Sequence, residues 1–335
     1  MTANFFDDEA FGNIFENKSE EINSQLSKEI IITMVGDVNA GKSSTINKLM
    51  KEDLASVGAK PGETIEIQEI RYKENIIFAD TPGLDDVHKE NSEVTKKYYK
   101  KSDVILFFLN AAGTVLSDNE LKNLREIEKL NQDIILVLNK IDAADDIPGI
   151  VKYIQDHTNY LYPVVPISSR TGENIGMLQN KLLDILEKKS KDILMASNMS
   201  DKSSIANRWI VAAGASSAVI GASPIPGSDF IPLTGIQVGL MVKLSTLYDK
   251  PISKDSAKEL IIATIIGNIG KTIFRQVTKF VPGVGSVVGA SIAGATTVSL
   301  GYAVKYAHEH DLELNADVLK SLYDMFLKKE KAGVN

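Results

Sequence analysis

The sequence predicts an α/β domain with a doubly wound sheet, followed by a second, all-α helical domain. Three observations carry this prediction. Between residue 29 and about residue 189, apolar runs typical of buried strands alternate with helical patterns. A glycine-rich turn at residues 36–43 joins the first strand to the first helix. Beyond Asp192 the chain is rich in small and aliphatic residues, and residues 209–228 and 280–304 contain no charged side chain.

Composition sets the outer limits. With 335 residues, 44% of them hydrophobic and 24% charged, the chain has room for two domains. We predict an amphipathic helical arm over residues 1–28, the α/β domain over 29–192 and the helical domain over 193–335. The absence of cysteine excludes disulfides and zinc–thiolate sites, and the N-terminus lacks the pattern of a signal peptide, so we expect a cytoplasmic location. A net charge of −7 argues against nucleic acid as a partner.

The first 28 residues are polar and acidic, but four apolar side chains recur on one side of a helix. These are Phe11, Ile14, Phe15 and Ile22. The pattern fits a helix that packs on the body of the protein. It also fits a docking arm for a partner or a membrane surface.

Six strand patterns and one closing helix predict the α/β domain. Period-two alternation at 64–70 followed by an apolar run at 75–79 predicts a hairpin, after which the strands return to parallel pairing. The remaining strands are predicted at 29–35, 104–109, 134–138 and 163–167, and an amphipathic helix at 175–188 closes the unit. A ligand of such a sheet binds beyond the carboxyl ends of its strands.

The turn at residues 36–43 reads G-x-x-x-x-G-K-S between a strand and a helix, which is the context of a phosphate-binding loop. Its glycines allow a tight turn whose N–H groups point inward, at the positive end of a helix dipole. We expect the backbone of Ala40, Gly41 and Ser44 to cradle phosphates. Lys42 is predicted to reach the β and γ phosphates, and the Ser43 hydroxyl to bind Mg²⁺.

Further motifs follow the other strands. Asp80 begins D-T-P-G, in which the carboxylate would hold Mg²⁺ through water and the Gly83 N–H would meet the γ-phosphate. The motif N-K-I-D starts at Asn139: Asp142 can accept two hydrogen bonds from guanine that adenine cannot offer, Asn139 would bond the base edge, and the Lys140 stem would cover its face. A last motif, Ser168 and Ser169 before an arginine, would present a backbone N–H to guanine O6.

With these motifs in order, residues 29–189 resemble a translation-factor-class GTPase domain of the Era, TrmE and septin group. The resemblance covers about half of the chain and implies Mg²⁺-dependent hydrolysis of GTP to GDP and phosphate. It also implies a Mg²⁺-binding switch threonine, and Thr64 stands where the group has it. As a threonine at the start of a strand, Thr64 has an ordinary alternative explanation. Lys42, Thr64 and Gly83 are the predicted catalytic groups.

Two residues bear on the rate of hydrolysis. Leu84 occupies the position where Ras-type enzymes have the glutamine that orients the attacking water. Asn39 matches the residue that helps to coordinate K⁺ in potassium-stimulated members of the group, and a cation there would supply charge as an arginine finger does. Asn39 could equally cap the local backbone. Because none of the five arginines is an evident finger, we expect slow turnover that accelerates on homodimerisation through the α/β domain or on partner binding.

The second half leaves two readings open. The charge-free segments are long enough to span a membrane, but prolines interrupt them and small polar residues weaken the drive for insertion. They also fit a compact helical core. Residues 224–248 resemble a helical domain that is fused to Era-like GTPases and is also found in bacterial inner-membrane proteins. We therefore predict a helical effector or assembly domain with a membrane or protein partner. The alternative is a nucleotide-gated scaffold, peripheral at the membrane, with little hydrolysis. Such a scaffold would be dynamin-like or similar to the immunity-related GTPases.

Overall fold

The protein is described from a computed structural model. The structure describes residues 8–50, 67–81, 93–221, 230–266 and 292–331. The chain divides into two compact units. One, the sheet unit, comprises Gln25–Asp201, and the other, the helical unit, combines Met1–Ser24 with Lys202–Asn335. The division therefore falls at residue 201 rather than 192, and the N-terminal arm is grouped with the helical unit.

The sheet unit alternates strands and helices as the apolar runs predict. Its strands are β1 (Ile30–Val35), β2 (Gln68–Tyr72), β3 (Ile76–Asp80), β4 (Val104–Asn110), β5 (Ile134–Asn139) and β6 (Val164–Pro166). The chain begins with helix α1 (Asp8–Leu26), and the helices of the sheet unit are α2 (Lys42–Met50), α3 (Glu93–Lys101), α4 (Asp118–Glu128), α5 (Ile147–His157), α6 (Ile175–Lys188) and α7 (Asp192–Asn198).

The six strands form one sheet in the order β2-β3-β1-β4-β5-β6. Only β2 is antiparallel to its neighbour, with Ile70 opposite Phe78, and the four other pairings are parallel. The predicted hairpin and the return to parallel strands are confirmed. Chain order reverses on either side of β1, so the crevice at its carboxyl end is where a ligand is expected in a doubly wound sheet.

Burial explains the continuous apolar runs. Every residue of β5 is buried, as is every residue of β4 except Asn110, because helices cover both faces of the sheet. The helices themselves carry local start signals. In α4, for example, Ser117 accepts a hydrogen bond from the Glu120 N–H while the Glu120 side chain accepts from the Ser117 N–H.

The end of the sheet unit is tied back to its body. Lys191 Nζ lies 2.7 Å from both carboxylate oxygens of Asp103, beside the amino end of β4. The Ser200 N–H donates to the Leu49 carbonyl in the last turn of α2 at 3.1 Å. Helix α2 thus runs from the glycine-rich turn to the last residues before the helical unit.

The helical unit contains α8 (Lys202–Ile220), α9 (Phe230–Leu247), α10 (Lys254–Ile266), α11 (Ile292–Glu309) and α12 (Ala316–Lys331) in addition to α1. Helix α11 is its centre, since it is buried over nearly all of its length. Thr297 of α11 donates to Ser217 of α8 at 2.9 Å and accepts from Gln237 of α9 at 3.2 Å. These bonds satisfy polar groups inside a core made largely of small and aliphatic residues.

The contacts also fix helix directions. From the N-terminal to the C-terminal half of α11, Thr297 and then Gly301 lie against Ser217 and then Ile210, so α8 is antiparallel to α11. Gln237 of α9 contacts Thr297, and Ser245 contacts His308, so α9 runs parallel to it.

Helix α1 buries two of the four predicted apolar side chains, Phe11 and Ile22, and Ile14 and Phe15 are half-buried. Phe11 and Ile22 are 3% and 4% exposed, and Lys258 of α10 pairs with Asp8. This is what the first reading, a helix packed on the body of the protein, requires. Within the described parts of the chain, none of the helices combines the length and apolar character needed to cross a membrane.

Candidate nucleotide-binding site

The glycine-rich turn leaves β1 and enters α2 through three residues with positive φ: Gly36 (146°), Asn39 (67°) and Gly41 (91°). A side chain at Gly36 would collide with β4, since a Cβ there would lie 2.8 Å from both Cβ and O of Phe108. Because α2 begins at Lys42, the amides of its first turn have no intrahelical acceptor. The loop therefore presents N–H groups at a helix N-terminus, which is an anion-binding arrangement.

Lys42 points into this loop. Its Nζ donates to the Gly36 carbonyl at 2.6 Å and to the Asp37 carbonyl at 3.3 Å, and the residue is 8% exposed. A buried ammonium held at the mouth of an amide-lined turn supplies the charge that a phosphate requires.

Asp80 ends β3 beside Lys42. Its Oδ1 lies 3.4 Å from Lys42 Nζ, is buried and makes no hydrogen bond to any described residue. Burial raises the pKa of the Asp80 carboxyl, and the charge of Lys42 works in the opposite direction. A buried carboxylate oxygen that is ion-paired with Lys42 but accepts no hydrogen bond keeps room for a further ligand, so the position suits a hydrated hard cation such as Mg²⁺, for which oxygen ligands are preferred.

Asn139 joins the phosphate loop to the other half of the site. Its Nδ2 donates to the Ala40 carbonyl at 2.7 Å and to Ser169 Oγ at 3.1 Å, while its Oδ1 accepts from the Ser169 N–H at 3.0 Å. The side chain is fully buried. Both of its N–H groups are engaged by the protein, so Asn139 acts as a brace between loops, and its predicted bond to the base edge stays a prediction.

Asp142 lies at the far end of the crevice. Its Oδ1 accepts from the Ser168 hydroxyl, and its Oδ2 pairs with the guanidinium of Arg170. The hydrogen bond from Ser168, aided by the charge of Arg170, lowers the pKa of this carboxyl. Asp142 is therefore ionised at neutral pH and can accept two hydrogen bonds from one ligand edge.

In the loop that follows β6, most backbone N–H groups donate hydrogen bonds within the protein. The N–H groups of Ser168, Ser169, Thr171 and Gly172 all donate within the protein. The N–H of Arg170 has no acceptor among the described residues. It is therefore the amide available for guanine O6, a role that the sequence assigned only to this motif as a whole.

Several predicted residues come together and others cannot be placed. The structure gathers Ala40, Gly41, Lys42, Ser43, Ser44 and Asp80 at one end of the crevice, and Lys140, Asp142, Ser168 and Ser169 at the other. Thr64, Gly83 and Leu84 lie outside the described residues. Asn39 is exposed, and no hydrogen bond from its side chain is found in the described part of the chain, so the capping alternative has no support there.

Sequence reasoning missed three contributors. Phe108 walls the Gly36 turn, and the Thr45 hydroxyl holds the loop by donating to the Gly41 carbonyl at 2.9 Å. The third is the Arg170 side chain, which pairs with Asp142, 28 positions earlier in the sequence. No local pattern announces this pair, because it depends on how the loops after β5 and β6 meet.

Comparison with known proteins bears on this geometry. A family model described as 50S ribosome-binding GTPase matches residues 31–140, about a third of the chain. GTPase Era of Clostridium tetani is 31% identical over 170 residues, which cover 48% of this chain and 56% of Era. GTPase Der of Nautilia profundicola is 32% identical over 194 residues, which cover 54% of this chain and 40% of Der. A crystal structure of Aquifex aeolicus Era bound to GDP·AlF4⁻ is 22% identical, with a TM-score of 0.37, over 60% of this chain and 70% of that one.

The chain thus spans about half the length of the curated relatives that it matches. The family match, residues 31–140, covers the glycine-rich turn, Asp80 and Asn139, and it ends before Asp142 and the loop that follows β6. By this match the sheet unit is similar to the GTPase domain of Era and Der, its sheet is the doubly wound type predicted, and the predicted resemblance is confirmed.

Proposed function

We propose that this chain binds GTP and GDP and hydrolyses GTP to GDP and phosphate, and that its nucleotide state acts on the helical unit. The observation that carries the proposal is the arrangement at the two ends of one crevice. An amide-lined turn with a buried lysine lies at one end, and an ionised carboxylate with two acceptor oxygens lies at the other. Asn139 braces the two ends, so a single ligand with a polyphosphate and a guanine edge satisfies both.

For the phosphate end, we assign Lys42 to the β and γ phosphates, and Ser43 and Asp80 to Mg²⁺, with Thr64 and Gly83 completing the set as the motifs imply. Bound Mg²⁺ would neutralise charge on the phosphate oxygens. The buried Oδ1 of Asp80, which accepts no hydrogen bond from the described residues, supports this assignment. The protein's own contribution is to orient the γ-phosphate and to stabilise its developing charge.

Replacing Asp142 with Asn tests the base assignment. The substitution removes one acceptor oxygen and introduces an N–H donor, which matches the 2-carbonyl of xanthine. We expect GTP affinity to fall at least about a hundredfold, as the loss of charge-assisted hydrogen bonds predicts, and XTP affinity to rise. Titration with fluorescent, non-hydrolysable analogues of GTP and XTP measures both. The control is Asp145→Asn, which changes an exposed carboxylate just after the motif. Unchanged GTP affinity in Asp142→Asn would exclude guanine recognition by Asp142.

We also propose that Asn39 helps to hold K⁺ beside the phosphates. Its exposed side chain, in a loop position with φ of 67°, is free of hydrogen bonds to the described residues and supports this role. Turnover in KCl should exceed turnover in NaCl at equal ionic strength, and Asn39→Ala should remove the difference. Equal turnover of the unmodified protein in both salts would end the K⁺ assignment while leaving GTP hydrolysis intact.

For the coupling role, the support is that two helices connect the crevice to the end of the sheet unit. Helix α2 begins at Lys42, and its Leu49 carbonyl accepts from Ser200. Helix α6 follows the Arg170 loop and leads to Lys189 and Lys191, which bind Asp133 and Asp103. A change at either end of the nucleotide therefore reaches the segment that enters the helical unit.

A partner for the helical unit is proposed from a second observation. Val219, Ile231 and Ile292 are 78%, 64% and 64% exposed, and the directions of α8, α9 and α11 bring all three to one end of the unit. Residues 267–291, which lead into Ile292, contain three basic and no acidic residues. Apolar side chains next to excess positive charge fit the surface of an anionic membrane.

Flotation with phosphatidylglycerol vesicles tests this surface. The double variant Val219→Glu with Ile292→Glu should lose vesicle binding, and Leu312→Glu, an exposed apolar position near the other end of α11, should keep it. Loss of self-association instead of vesicle binding would assign the surface to a second copy of the chain. Sedimentation with a GTP analogue separately tests the proposed homodimer through the sheet unit.

A further inference from the structure

The Arg170 side chain occupies the same carboxylate that guanine requires. Its guanidinium pairs with Asp142 Oδ2, whereas Ser168 takes Oδ1. The Arg170 side chain is 76% exposed, and that of Asp142 is only 12% exposed. Asp142 is thus fixed in the wall of the crevice, and the Arg170 side chain can move into solvent.

Guanine makes two demands on Asp142. Its N1–H and its 2-amino group each donate to one carboxylate oxygen, so both oxygens face the base when the nucleotide is bound. Hypoxanthine lacks the 2-amino group and leaves one of these oxygens without a partner. Leaving a charged acceptor unpaired is usually what makes a site reject such an analogue.

From this geometry we propose that Arg170 is a specificity-determining residue that substitutes for the guanine 2-amino group at Asp142. With guanine bound, the guanidinium gives up Oδ2 to the base. With hypoxanthine bound, it keeps Oδ2 and satisfies the oxygen that the base leaves. Arg170 thereby reduces the penalty for a base without the 2-amino group and makes the site more permissive for inosine nucleotides. The proposal rests on the proposed function, because it requires guanine to bind at Asp142.

The Arg170–Asp142 pair also affects the site before any nucleotide binds, and this effect too lowers the preference for guanine. The Arg170–Asp142 pair stabilises the nucleotide-free state, because guanine must compete with the guanidinium for Oδ2. Both effects are modest, since an exposed ion pair is worth only a few-fold in an equilibrium constant. They are also sensitive to salt, since screening weakens a pair of which one member is in solvent.

The test is the ratio of IDP to GDP dissociation constants, measured by displacement of a fluorescent GDP from the full chain. In Arg170→Ala the ratio should rise about three- to fivefold, the range of an exposed ion pair. Arg170→Lys, which keeps the charge, should restore part of the difference. Raising KCl from about 0.05 to 0.5 M should increase the ratio in the unmodified protein and leave it flat in Arg170→Ala.

The control is Arg125→Ala, which removes a surface arginine that pairs with Glu128 and lies on α4 outside the crevice. Its ratio should match that of the unmodified protein. An unchanged or lower ratio of IDP to GDP dissociation constants in Arg170→Ala would overturn the proposal. A general loss of affinity weakens both nucleotides equally and therefore leaves this ratio unchanged. Failure of the proposed function is distinguishable, because the unmodified protein would then bind neither GDP nor IDP.

Discussion

At the scale of single residues, the site depends on Asn139. It lies at the end of β5, where neighbouring Asn110 occupies the matching position of β4, yet only Asn139 is fully buried. Its three hydrogen bonds fix the distance between the phosphate loop and the loop that carries Ser168–Arg170. Because a nucleotide bound as proposed would contact both loops, the brace would set the length of ligand that the crevice accepts.

Gly41 makes this brace sterically possible. A Cβ at Gly41 would lie 2.1 Å from Asn139 Nδ2 and 3.1 Å from Ser169 Oγ, and φ is 91°. We expect Gly41→Ala to displace Asn139 and to weaken GDP binding by at least about 3 kcal/mol, roughly a hundredfold. Calorimetric titration measures the affinity. Gly176→Ala is the matched control: a Cβ there meets nothing within 4 Å, and alanine favours helix α6, so affinity should be kept.

The sequence was sufficient for the phosphate loop because its chemistry is local. Gly36, Gly41, Lys42 and Ser43 lie within eight residues, and their spacing alone places them at a helix N-terminus. The base end was predicted less fully. Asn139 and Ser169 are 30 residues apart, and the choice between bonding the base and bonding each other depends on loop positions that no local pattern encodes.

At the scale of elements, the strands were predictable for a similar reason. A short, continuous apolar run is typical of a central strand, because such a strand is buried on both faces. Strands β1, β4 and β5 fall within a residue or two of the predicted bounds. The helical unit was harder. Helix α11 is buried on all sides, so it lacks the amphipathic period from which orientation is read. Its packing is visible only in tertiary contacts.

One such contact is the crossing at Gly301. A Cβ there would lie 2.7 and 3.0 Å from Ile210 of α8 and 3.0 Å from Leu240 of α9. Gly301→Ala should therefore destabilise the helical unit by about 1–2 kcal/mol, even after the gain in helix propensity. In α9, a Cβ added at Gly235 would meet nothing within 4 Å. Gly235→Ala should therefore stabilise the helical unit by about 0.5–1 kcal/mol through its higher helix propensity.

Urea unfolding followed by tryptophan fluorescence separates these outcomes. The chain has a single tryptophan, Trp209, which is buried in α8, so its emission reports on the helical unit. GDP affinity serves as the independent check that the sheet unit is intact. Equal stability of the two glycine variants would contradict the close crossing of α8, α9 and α11.

The C-terminal turn of α11 makes the helical unit sensitive to acid. His308 is 4% exposed and contacts Ser245 Oγ at 3.0 Å, and burial, together with the charge of Lys250, lowers its pKa to about 4. Tyr248 stacks on its ring, and Glu309 follows it in the helix. The folded state thus favours neutral His308, whereas an unfolded histidine takes up a proton near pH 6.5.

The sign follows from proton uptake. Between pH 6.5 and about 4 the unfolded state binds more protons, so stability is full above pH 6.5 and falls as the pH drops towards 4. The loss should be on the order of 3 kcal/mol. Trp209 unfolding curves of the unmodified protein and of His308→Asn, compared across this range, isolate this contribution from that of the carboxylates. Parallel pH profiles would show that His308 is not held neutral.

At the scale of the whole molecule, the described residues of the sheet unit link the candidate nucleotide crevice to the junction with the helical unit. Both helices that start at the nucleotide crevice, α2 and α6, lead to the segment before Lys202. The Ser200 N–H bond to the Leu49 carbonyl is the most direct of these links, since α2 starts at Lys42 only a few turns away. If the nucleotide state acts on the helical unit, this bond is where α2 transmits it.

Ser200→Pro removes the N–H that donates to the Leu49 carbonyl. The preceding residue, Met199, has φ of −80° and ψ of 161°, a conformation that proline allows in its neighbour. We expect Ser200→Pro to retain GDP affinity but to reduce the difference in Trp209 unfolding midpoint between the GDP-bound protein and the protein bound to a non-hydrolysable GTP analogue. Ser200→Ala keeps the N–H and should preserve the full difference. If proline and alanine give the same midpoint differences, α2 does not carry the signal, and α6 becomes the route to test.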